Sequence, residues 1–254
     1  MFRRVSAVLF VLLGLSALSA APAAAQPPSS DRPQWSLGVA VISSPAPYVG
    51  ADANLIVVPA LSFSYKRFYL RGITAGYRFW ESGGFHLDGL VQAQLAGYEA
   101  DDSPFLAGMA PRHSSAAGGF ELAWEGERVG VSLTPTTDLL GNSNGQVVDL
   151  DVYFPIRFGP VRIEPRVGAS WQSADFVDYY AGVRAAEARP ERPAYEGGSN
   201  LDLTTGLSVF SPITRKILFQ GFVRLDRLGD EIADSPIVDR RHAVTGFAAL
   251  SYAF

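Results

Sequence analysis

The chain has three histidines, and their spacing limits the chemistry they could support. His86, His113 and His242 are widely separated, and no two of them have the spacing of metal ligands. His113 and Ser115 lie two residues apart, so a strand would present both on one face, with Glu121 six residues further along that face. This set could supply a base, a nucleophile and an acidic partner for removing an acyl chain from lipid A. Such triplets often arise by chance, so we expect no catalytic residue, no metal site and no cofactor.

Charged residues of both signs share one face of a hairpin near the middle of the chain, and the opposite face, from Val148 to Trp171, is almost entirely apolar. The charged residues are Asp149, Asp151, Arg157, Arg162, Glu164 and Arg166. They are the candidate lining of a lumen. They could neutralise one another and fill a narrow interior, or they could line a channel for a small charged solute.

The predicted loops contain two features of note, a candidate ligand-binding cluster and a repeated triplet. Asp175, Asp178, Tyr179 and Tyr180 resemble a cluster for Ca²⁺ or another ligand, although acidic loops are common on protein surfaces. The triplet Asp-Ser-Pro occurs twice, at residues 102–104 and 234–236. Asp and Ser before Pro are ordinary turn residues, so we assign no function to this triplet.

The last stretch of the chain, from His242 to Phe254, alternates between two faces with a period of two residues. Leu250, Tyr252 and Phe254 lie on one large apolar face, while the other face is mostly small or polar. The final strand of a soluble sandwich could show this pattern. A membrane barrel also closes its sheet with such a strand and places the terminal aromatic residue at the membrane interface. We expect these three residues to mark a membrane-insertion strand.

Similar alternation recurs along the chain in runs of up to about 11–12 residues, which suits a tilted membrane strand of ~9–11 residues better than a globular strand of ~5–6. Short turns mostly alternate with long loops, as in bacterial barrels. About 11 runs are clear, whereas single-chain bacterial barrels have an even number of strands. Residues 68–79 could hide a hairpin. We therefore predict an all-β fold, an antiparallel transmembrane β-barrel of about 12 strands, with 10 as the alternative.

The amino-terminal residues predict export. A basic start, an apolar run and the A-x-A sequence at 23–25 form a secretory signal peptide, residues 1–25, which leaves residues 26–254 as one outer-membrane barrel domain. The chain has no cysteine, so disulfide and thiol chemistry are excluded. Its net charge of −4 argues against a nucleic-acid partner.

Five short segments resemble the MipA/OmpV family of outer-membrane proteins. They are PYVGAD at 47–52, LAGM at 106–109, VDYYAGV at 177–183, DSPIV at 234–238 and the closing LSYAF at 250–254. The resemblance implies a barrel in the bacterial outer membrane, in contact with lipid and lipopolysaccharide, and carries over no catalytic residues. It also implies a non-catalytic scaffold that joins a murein hydrolase, a lytic transglycosylase, to a murein synthase. A narrow solute channel or a surface ligand-binding or adhesion barrel is the alternative, and a lipid A hydrolase is a remote one.

Overall fold

The computed structural model describes residues 32–45, 47–51 and 53–254 of the chain. The predicted signal peptide, residues 1–25, lies outside the described residues. The described part of the chain is mostly β-strand, with two short helices and one 3₁₀ turn in the loops.

Antiparallel strands follow one another around a closed sheet. They are β1 (Gln34–Pro45), β2 (Ala53–Tyr65), β3 (Phe68–Arg71), β4 (Thr74–Ser82), β5 (Phe85–Gln94), β6 (Ser115–Glu125), β7 (Gly130–Asp138), β8 (Gln146–Tyr153), β9 (Ile156–Phe158), β10 (Val161–Gln172), β11 (Asn200–Pro212), β12 (Ile217–Arg227) and β13 (His242–Ala253). Pairing of β13 with β1 and of β10 with β11 closes the ring.

The predicted count of 12 strands is confirmed, because β8 and β9 are two parts of one wall strand. Both pair with β10, and they are separated at Phe154 and Pro155, where proline has no N–H to donate to the sheet. The twelfth strand comes from residues 68–79, which do contain a hairpin. There β3 and β4 pair with each other around Gly72, whose φ of +56° suits glycine in a tight turn.

The outer face of this sheet is apolar and exposed. Its large residues include Trp35, Leu37, Val39, Leu55, Val57, Phe120, Leu122, Leu133, Leu150, Val167, Leu201, Leu203, Val223, Leu225, Val244 and Leu250. No second layer of the described chain covers them, and a soluble monomer rarely exposes so large an apolar surface. The alternating residues on the inner face are mostly small, polar or charged. This arrangement, with apolar residues outward and polar residues inward, is that of a membrane-spanning barrel.

The two ends of the barrel differ. At one end the strands are joined by short turns, such as residues 66–67, 83–84 and 159–160. At the other end most of the connections are long. Because bacterial barrels have short periplasmic turns and long external loops, the long-loop end faces outward.

The loops contain two helices, α1 (Ala174–Ala181) and α2 (Asp230–Ala233), and a 3₁₀ turn, Ala185–Glu187. Helix α1 begins after Ser173, whose hydroxyl accepts a hydrogen bond from the Phe176 N–H, and ends at Gly182. None of the helices in the described ranges is long and apolar enough to cross a membrane.

Candidate functional site

The hydrophobic core of the described chain lies almost entirely in the external loops. We call residues 47–51, 95–114, 173–199 and 228–241 the loop cap. Its buried apolar residues form one cluster with Val147 of β8: Tyr48, Ala51, Ala96, Tyr98, Leu106, Met109, Phe176, Val177, Tyr180, Ala181, Val183, Leu228, Ile232, Ile237 and Val238. The strands alone close the barrel, so its loops do not need a common core. Because these four loops nevertheless share one buried cluster, the loop cap is a folded unit at the outer mouth.

Helix α1 lies at the centre of the loop cap. Val177 and Tyr180 have no exposed surface, and Phe176 packs against the Tyr180 ring with 4.9 Å between centroids. The Tyr48 hydroxyl donates a hydrogen bond to the Tyr180 carbonyl oxygen at 3.3 Å, and the Tyr48 ring meets the Tyr98 ring edge-on at 4.7 Å. Three of the four loops therefore meet around one helix.

A buried ion pair joins the second and third loops. The guanidinium of Arg112 donates to both carboxylate oxygens of Glu187, at 3.2 and 2.9 Å, and also to the carbonyl oxygens of Tyr179 and Ala110, each at 2.7 Å. The backbone N–H groups of Ala110 and Arg184 donate to the same carboxylate. Each charge thus has several partners, which a buried ion pair needs in order to be tolerated.

The partners of Glu187 set its ionisation. Burial alone would raise the pKa of its carboxyl, but the hydrogen bonds from Arg112 and from the two backbone N–H groups lower that pKa below the ordinary glutamate value. Nearby, Arg192 donates to the Glu187 carbonyl oxygen at 2.8 Å and contacts the Phe105 carbonyl oxygen. The ion pair is therefore fully charged at neutral pH and holds the loop cap together.

The two Asp-Ser-Pro triplets anchor one loop to another. The Ser103 hydroxyl donates to the Val49 carbonyl oxygen at 2.6 Å, and the Ser235 hydroxyl donates to the Ala181 carbonyl oxygen at 2.5 Å. Both serines are about 2% exposed. The same hydroxyls accept from the backbone N–H two residues later, as turn serines do. Turn chemistry was the correct interpretation of the triplet, and the structure adds a contact between loops.

Burial also changes the phenols of the loop cap. It raises the pKa of Tyr98 to about 12 and raises the pKa of Tyr48 well above its ordinary value. The charge of the neighbouring Arg112 lowers the pKa of both tyrosines, but by less than burial raises it. Both hydroxyls therefore stay protonated at physiological pH and can donate hydrogen bonds.

The predicted cluster of loop residues is divided between two sides of α1. Asp175 lies in the first turn of α1 and is exposed, whereas Tyr180 is fully buried on the opposite side. Asp178 accepts a hydrogen bond from the Gly197 N–H at 3.4 Å. The structure thus spreads this predicted cluster around the helix.

The lumen side of the barrel contains most of the predicted charged lining. Asp149, Asp151, Arg162, Glu164 and Arg166 lie on the inner face, and Arg157 is exposed at the short-turn rim. Arg162 lies 2.9 Å from Glu164, which has no exposed surface, and Arg166 lies 3.7 Å from Asp151. Arg224 and Asp226 of β12 add a further pair at 2.9 Å. These charges largely neutralise one another inside the barrel.

A second group of charges lies around His86 on β5. The Asp88 carboxylate accepts two hydrogen bonds from Arg78, at 2.8 and 3.1 Å. Glu121 on β6 pairs with Asp88 across the strands and lies 3.4 Å from the His86 ring. One ligand atom each from His86, Asp88 and Glu121 falls within a span of 4.8 Å. Spacing between histidines could not indicate this mixed group. Arg78 already occupies both oxygens of Asp88, so the group is better suited to ion pairing than to holding a metal.

The short-turn end opens into a cavity of about 340 Å³. Its lining consists of Glu125, Gly126, Glu127, Tyr153, Pro155, Arg157 and Arg162. Arg157 and Arg162 face each other across the β9–β10 pair. This cavity lies at the periplasmic rim of the barrel, at the end opposite the loop cap.

The candidate catalytic set is not assembled. The side chain of His113 is 63% exposed and lies 4.0 Å from Glu99. The hydroxyl of Ser115 donates to Asp138 on the neighbouring strand, and Glu121 contacts His86. The three residues thus have different partners, and the Ser115 hydroxyl is hydrogen-bonded to Asp138 and not to the His113 ring.

The closing strand places its apolar face outward. Leu250, Tyr252 and Phe254 are all exposed, and the rings of Tyr252 and Phe254 are 5.1 Å apart. Strand β13 pairs with β12 on one side and β1 on the other. The three residues therefore lie on the outer surface, where the last strand joins the first.

Sequence reasoning missed the polar residues that hold the loop cap together. Arg112, Glu187 and Arg192 lie in stretches that read as ordinary charged loops. The one feature of the sequence that could have indicated them was their position after the family segments. Arg112 follows the LAGM segment closely, and Glu187 and Arg192 follow VDYYAGV. A charge near an apolar loop segment is a weak indication of a buried pair.

Comparison with known proteins agrees with the fold. The family model described as MltA-interacting protein MipA matches residues 37–254. The chain is 28% identical to the putative outer membrane protein YiaT of Escherichia coli K12, over 89% of this chain and 93% of that protein. It is 27% identical to the MltA-interacting protein of the same strain, over 87% and 90%. It is also similar to the solved NanC porin, with 8% identity, a TM-score of 0.41 and coverage of 86% and 98%.

The segments that resemble the family in the sequence now have a place in the structure. Residues 47–51, 106–109, 177–183 and 234–238 all lie in the loop cap, and residues 250–254 end the closing strand. The family model spans the barrel and the loop cap together. The chain therefore belongs to the MltA-interacting protein MipA family and is an outer-membrane β-barrel.

Proposed function

We propose that this barrel is a non-catalytic scaffold that binds murein-remodelling enzymes at its periplasmic rim. The proposal rests on the distribution of charge. The whole chain has a net charge of −4, yet the short-turn end carries a concentration of exposed basic residues: Lys66, Arg67, Arg128, Arg157, Arg215 and Lys216. Such a rim favours an acidic partner surface and steers its approach.

The interior supports a structural role. The paired charges of the lumen, such as Arg162 with Glu164 and Arg78 with Asp88, fill the barrel with contacts made within the chain. The loop cap is a packed unit at the outer mouth. A barrel built in this way offers its rim and not its lumen to a partner. The name of one relative, MltA-interacting protein, is consistent with a murein-related partner.

A narrow channel is the second candidate function. The cavity of about 340 Å³ at the periplasmic end is large enough for a small solute. Acidic residues outnumber basic ones on the inner face, so a cation would be the preferred solute. The loop cap would have to open for a solute to pass, which makes this candidate the weaker one.

Capture experiments test the scaffold. The full-length protein would be immunoprecipitated from mildly solubilised envelopes, and the captured proteins would be identified by mass spectrometry. The rim variant carries Lys66→Gln, Arg215→Gln and Lys216→Gln, and the matched control carries Arg184→Gln, Arg189→Gln and Arg240→Gln in the loop cap. Both variants lose three positive charges.

The proposal predicts that the wild type and the control capture a lytic transglycosylase and a murein synthase, and that the rim variant loses most of this capture. Absence of murein enzymes from the wild-type sample would contradict the scaffold. Equal capture by both variants would contradict the basic rim as the docking surface.

A further inference from the structure

The barrel wall has an opening beside the upper half of β2. Strand β3 is only four residues long, and its pairing with β2 begins at Ser62. Among the described residues, the last backbone contact on that side is the hydrogen bond from the Gly72 N–H to the Leu61 carbonyl oxygen, at 2.9 Å. Above it, residues 53–60 pair with β1 alone within the described chain. This free edge extends about 27 Å at the usual rise of a strand.

Other elements frame the opening on its remaining sides. The turn at Gly72 and Ile73 lies below it, and the N–H of Ala93 on β5 donates to the Ile73 carbonyl oxygen. Above it, Ser103 of the loop cap donates to the Val49 carbonyl oxygen. The opening is therefore a window in the outer half of the wall, with the loop cap as its upper border.

The backbone of β2 identifies which groups face the window. Backbone groups of alternate residues on a strand point to the same side. The Leu61 carbonyl points to the β3 side, so the N–H and C=O groups of Val57 and Leu55, at even spacings from Leu61, also point there. Pro59 lies in this series and has no N–H. Proline is tolerated where a strand edge is unpaired, so its position fits a permanent edge and not a partner strand.

Two isoleucines lie on the inner face of the wall beside the window. Ile42 and Ile56 face each other across the β1–β2 pair and lie on the same inner face. Ile42 is 5% exposed, whereas Ile56 beside the free edge is partly exposed. Val58 is also partly exposed, although its cross-strand neighbour Ala40 is buried. The inner apolar wall thus continues through the window to the exposed outer residues Leu55 and Val57.

A second copy of the chain could not cover this edge by strand pairing. Two barrels in one membrane have the same up–down orientation, and their strands tilt by roughly 35–45°. Facing strands related by a twofold axis along the membrane normal therefore run parallel in sense but cross at roughly 70–90°. Extended hydrogen bonding between two β2 edges is incompatible with that crossing.

We propose that this window is a lateral passage, and that an acyl chain of an outer-leaflet lipid enters it and contacts the inner apolar wall at Ile56 and Val58. The edge is continuous with the lipid-facing belt of the barrel, so lipid is the neighbour already present at this depth. Closed walls are the rule for membrane barrels because unpaired backbone groups are costly in hydrocarbon. Water from the lumen solvates the few unpaired groups of β2, and the acyl chain covers the apolar side chains.

Single-site fluorescence quenching tests this proposal, and the absence of native cysteine makes each label unique. A bimane fluorophore is attached to Val58→Cys, and the refolded barrel is placed in vesicles whose lipids carry a nitroxide on the acyl chain. Val57→Cys, which faces outward, gives the full lipid signal. Gln220→Cys is the matched control, because it faces inward with similar exposure from β12, which is paired on both sides.

The passage predicts quenching at Val58→Cys within about twofold of Val57→Cys and at least about fivefold above Gln220→Cys. Ile56→Cys gives an independent second position if the first variant does not fold, as judged by its heat-modifiable migration on gels. Quenching at both inward β2 positions as weak as at Gln220→Cys would overturn the proposal. Equal quenching at all positions would also overturn it, because lipid would then reach the lumen without using the window.

Discussion

Arg112 donates two hydrogen bonds to the carboxylate of Glu187, 75 residues further along the chain, and both side chains are buried in the loop cap. The pair ties the loop after β5 to the loop after β10, which are separated by four barrel strands in the sheet order. The two loops cannot move apart without separating these charges. We therefore expect this pair to be a main contact that keeps the loop cap closed over the mouth.

Breaking the pair should open the loop cap without unfolding the barrel. In a Glu187→Gln variant, Arg112 keeps its charge and its burial but loses its carboxylate, a change that typically costs about 3 kcal/mol or more. We expect the external loops to become sensitive to added protease in intact cells, while the barrel keeps its heat-modifiable migration on gels.

The control for this prediction is an exposed ion pair in the same loop cap. Arg241 contacts Asp230 and Asp234 at the surface. Exposed pairs contribute little, so Arg241→Gln should leave protease sensitivity unchanged. Equal sensitivity of the two variants would show that the buried pair has no special role.

Acid should loosen the loop cap for the same reason. The pKa of Glu187 is lower in the folded cap than the ordinary value of about 4.3. Its contribution to stability is therefore complete above that ordinary value and is lost as the pH falls through the folded pKa. Hydrogen exchange of residues 177–187, divided by the intrinsic rate at each pH between about pH 3 and 6, should accelerate at the acid end.

In Glu187→Gln this pH-dependent acceleration should be absent, because the amide does not titrate. The same acceleration in the variant and in the wild type would assign the effect to another group.

The sequence carried enough information for the barrel. Leu250, Tyr252 and Phe254 alternate with small residues because one face of β13 contacts lipid and the other faces the lumen. Apolar residues therefore recur at every second position of the strand. The hairpin from Val148 to Trp171 carries the same signal. The weak point was β3, whose four residues are too short to show a period, so the strand count rested on the rule of even numbers.

The loop cap could not be predicted in the same way. Tyr48, Leu106, Tyr180 and Ile237 come from four loops and meet only in three dimensions, so no period or spacing in the sequence links them. The family segments marked these loops without indicating that they pack together. The lumen charges could be predicted in part. The alternation of apolar and polar residues predicted which face of the sheet they lie on, but not which residues they pair with.

A charged residue on the outward face of the last strand should destabilise the barrel. Leu250 is half exposed on the lipid side of β13. Arginine on the lipid face of a barrel costs about 2–4 kcal/mol at mid-membrane and less near the interface. We expect Leu250→Arg to lower the free energy of unfolding in vesicles, measured by urea titration, and to slow membrane insertion.

The neighbouring Ser251 faces inward, and Ser251→Thr should leave that free energy nearly unchanged. A Leu250→Arg barrel as stable as the wild type would contradict the lipid-facing assignment.

The polar strand residues near the outer mouth should not be catalytic. The Ser115 hydroxyl donates to Asp138, and the ring of the exposed His113 lies 4.0 Å from Glu99. Mass spectrometry of lipid A should therefore give the same acylation pattern in cells that overproduce the wild type, cells that overproduce Ser115→Ala and cells with an empty vector. Loss of an acyl chain that depends on Ser115 would identify a hydrolase.

Electrical conductance in planar bilayers tests most directly whether the loop cap closes the barrel. The wild-type protein should be silent at neutral pH, and Glu187→Gln should show intermittent openings because its loops are no longer tied together. Steady conductance of the wild-type protein, unchanged in Glu187→Gln, would contradict a mouth held shut by Arg112 and Glu187.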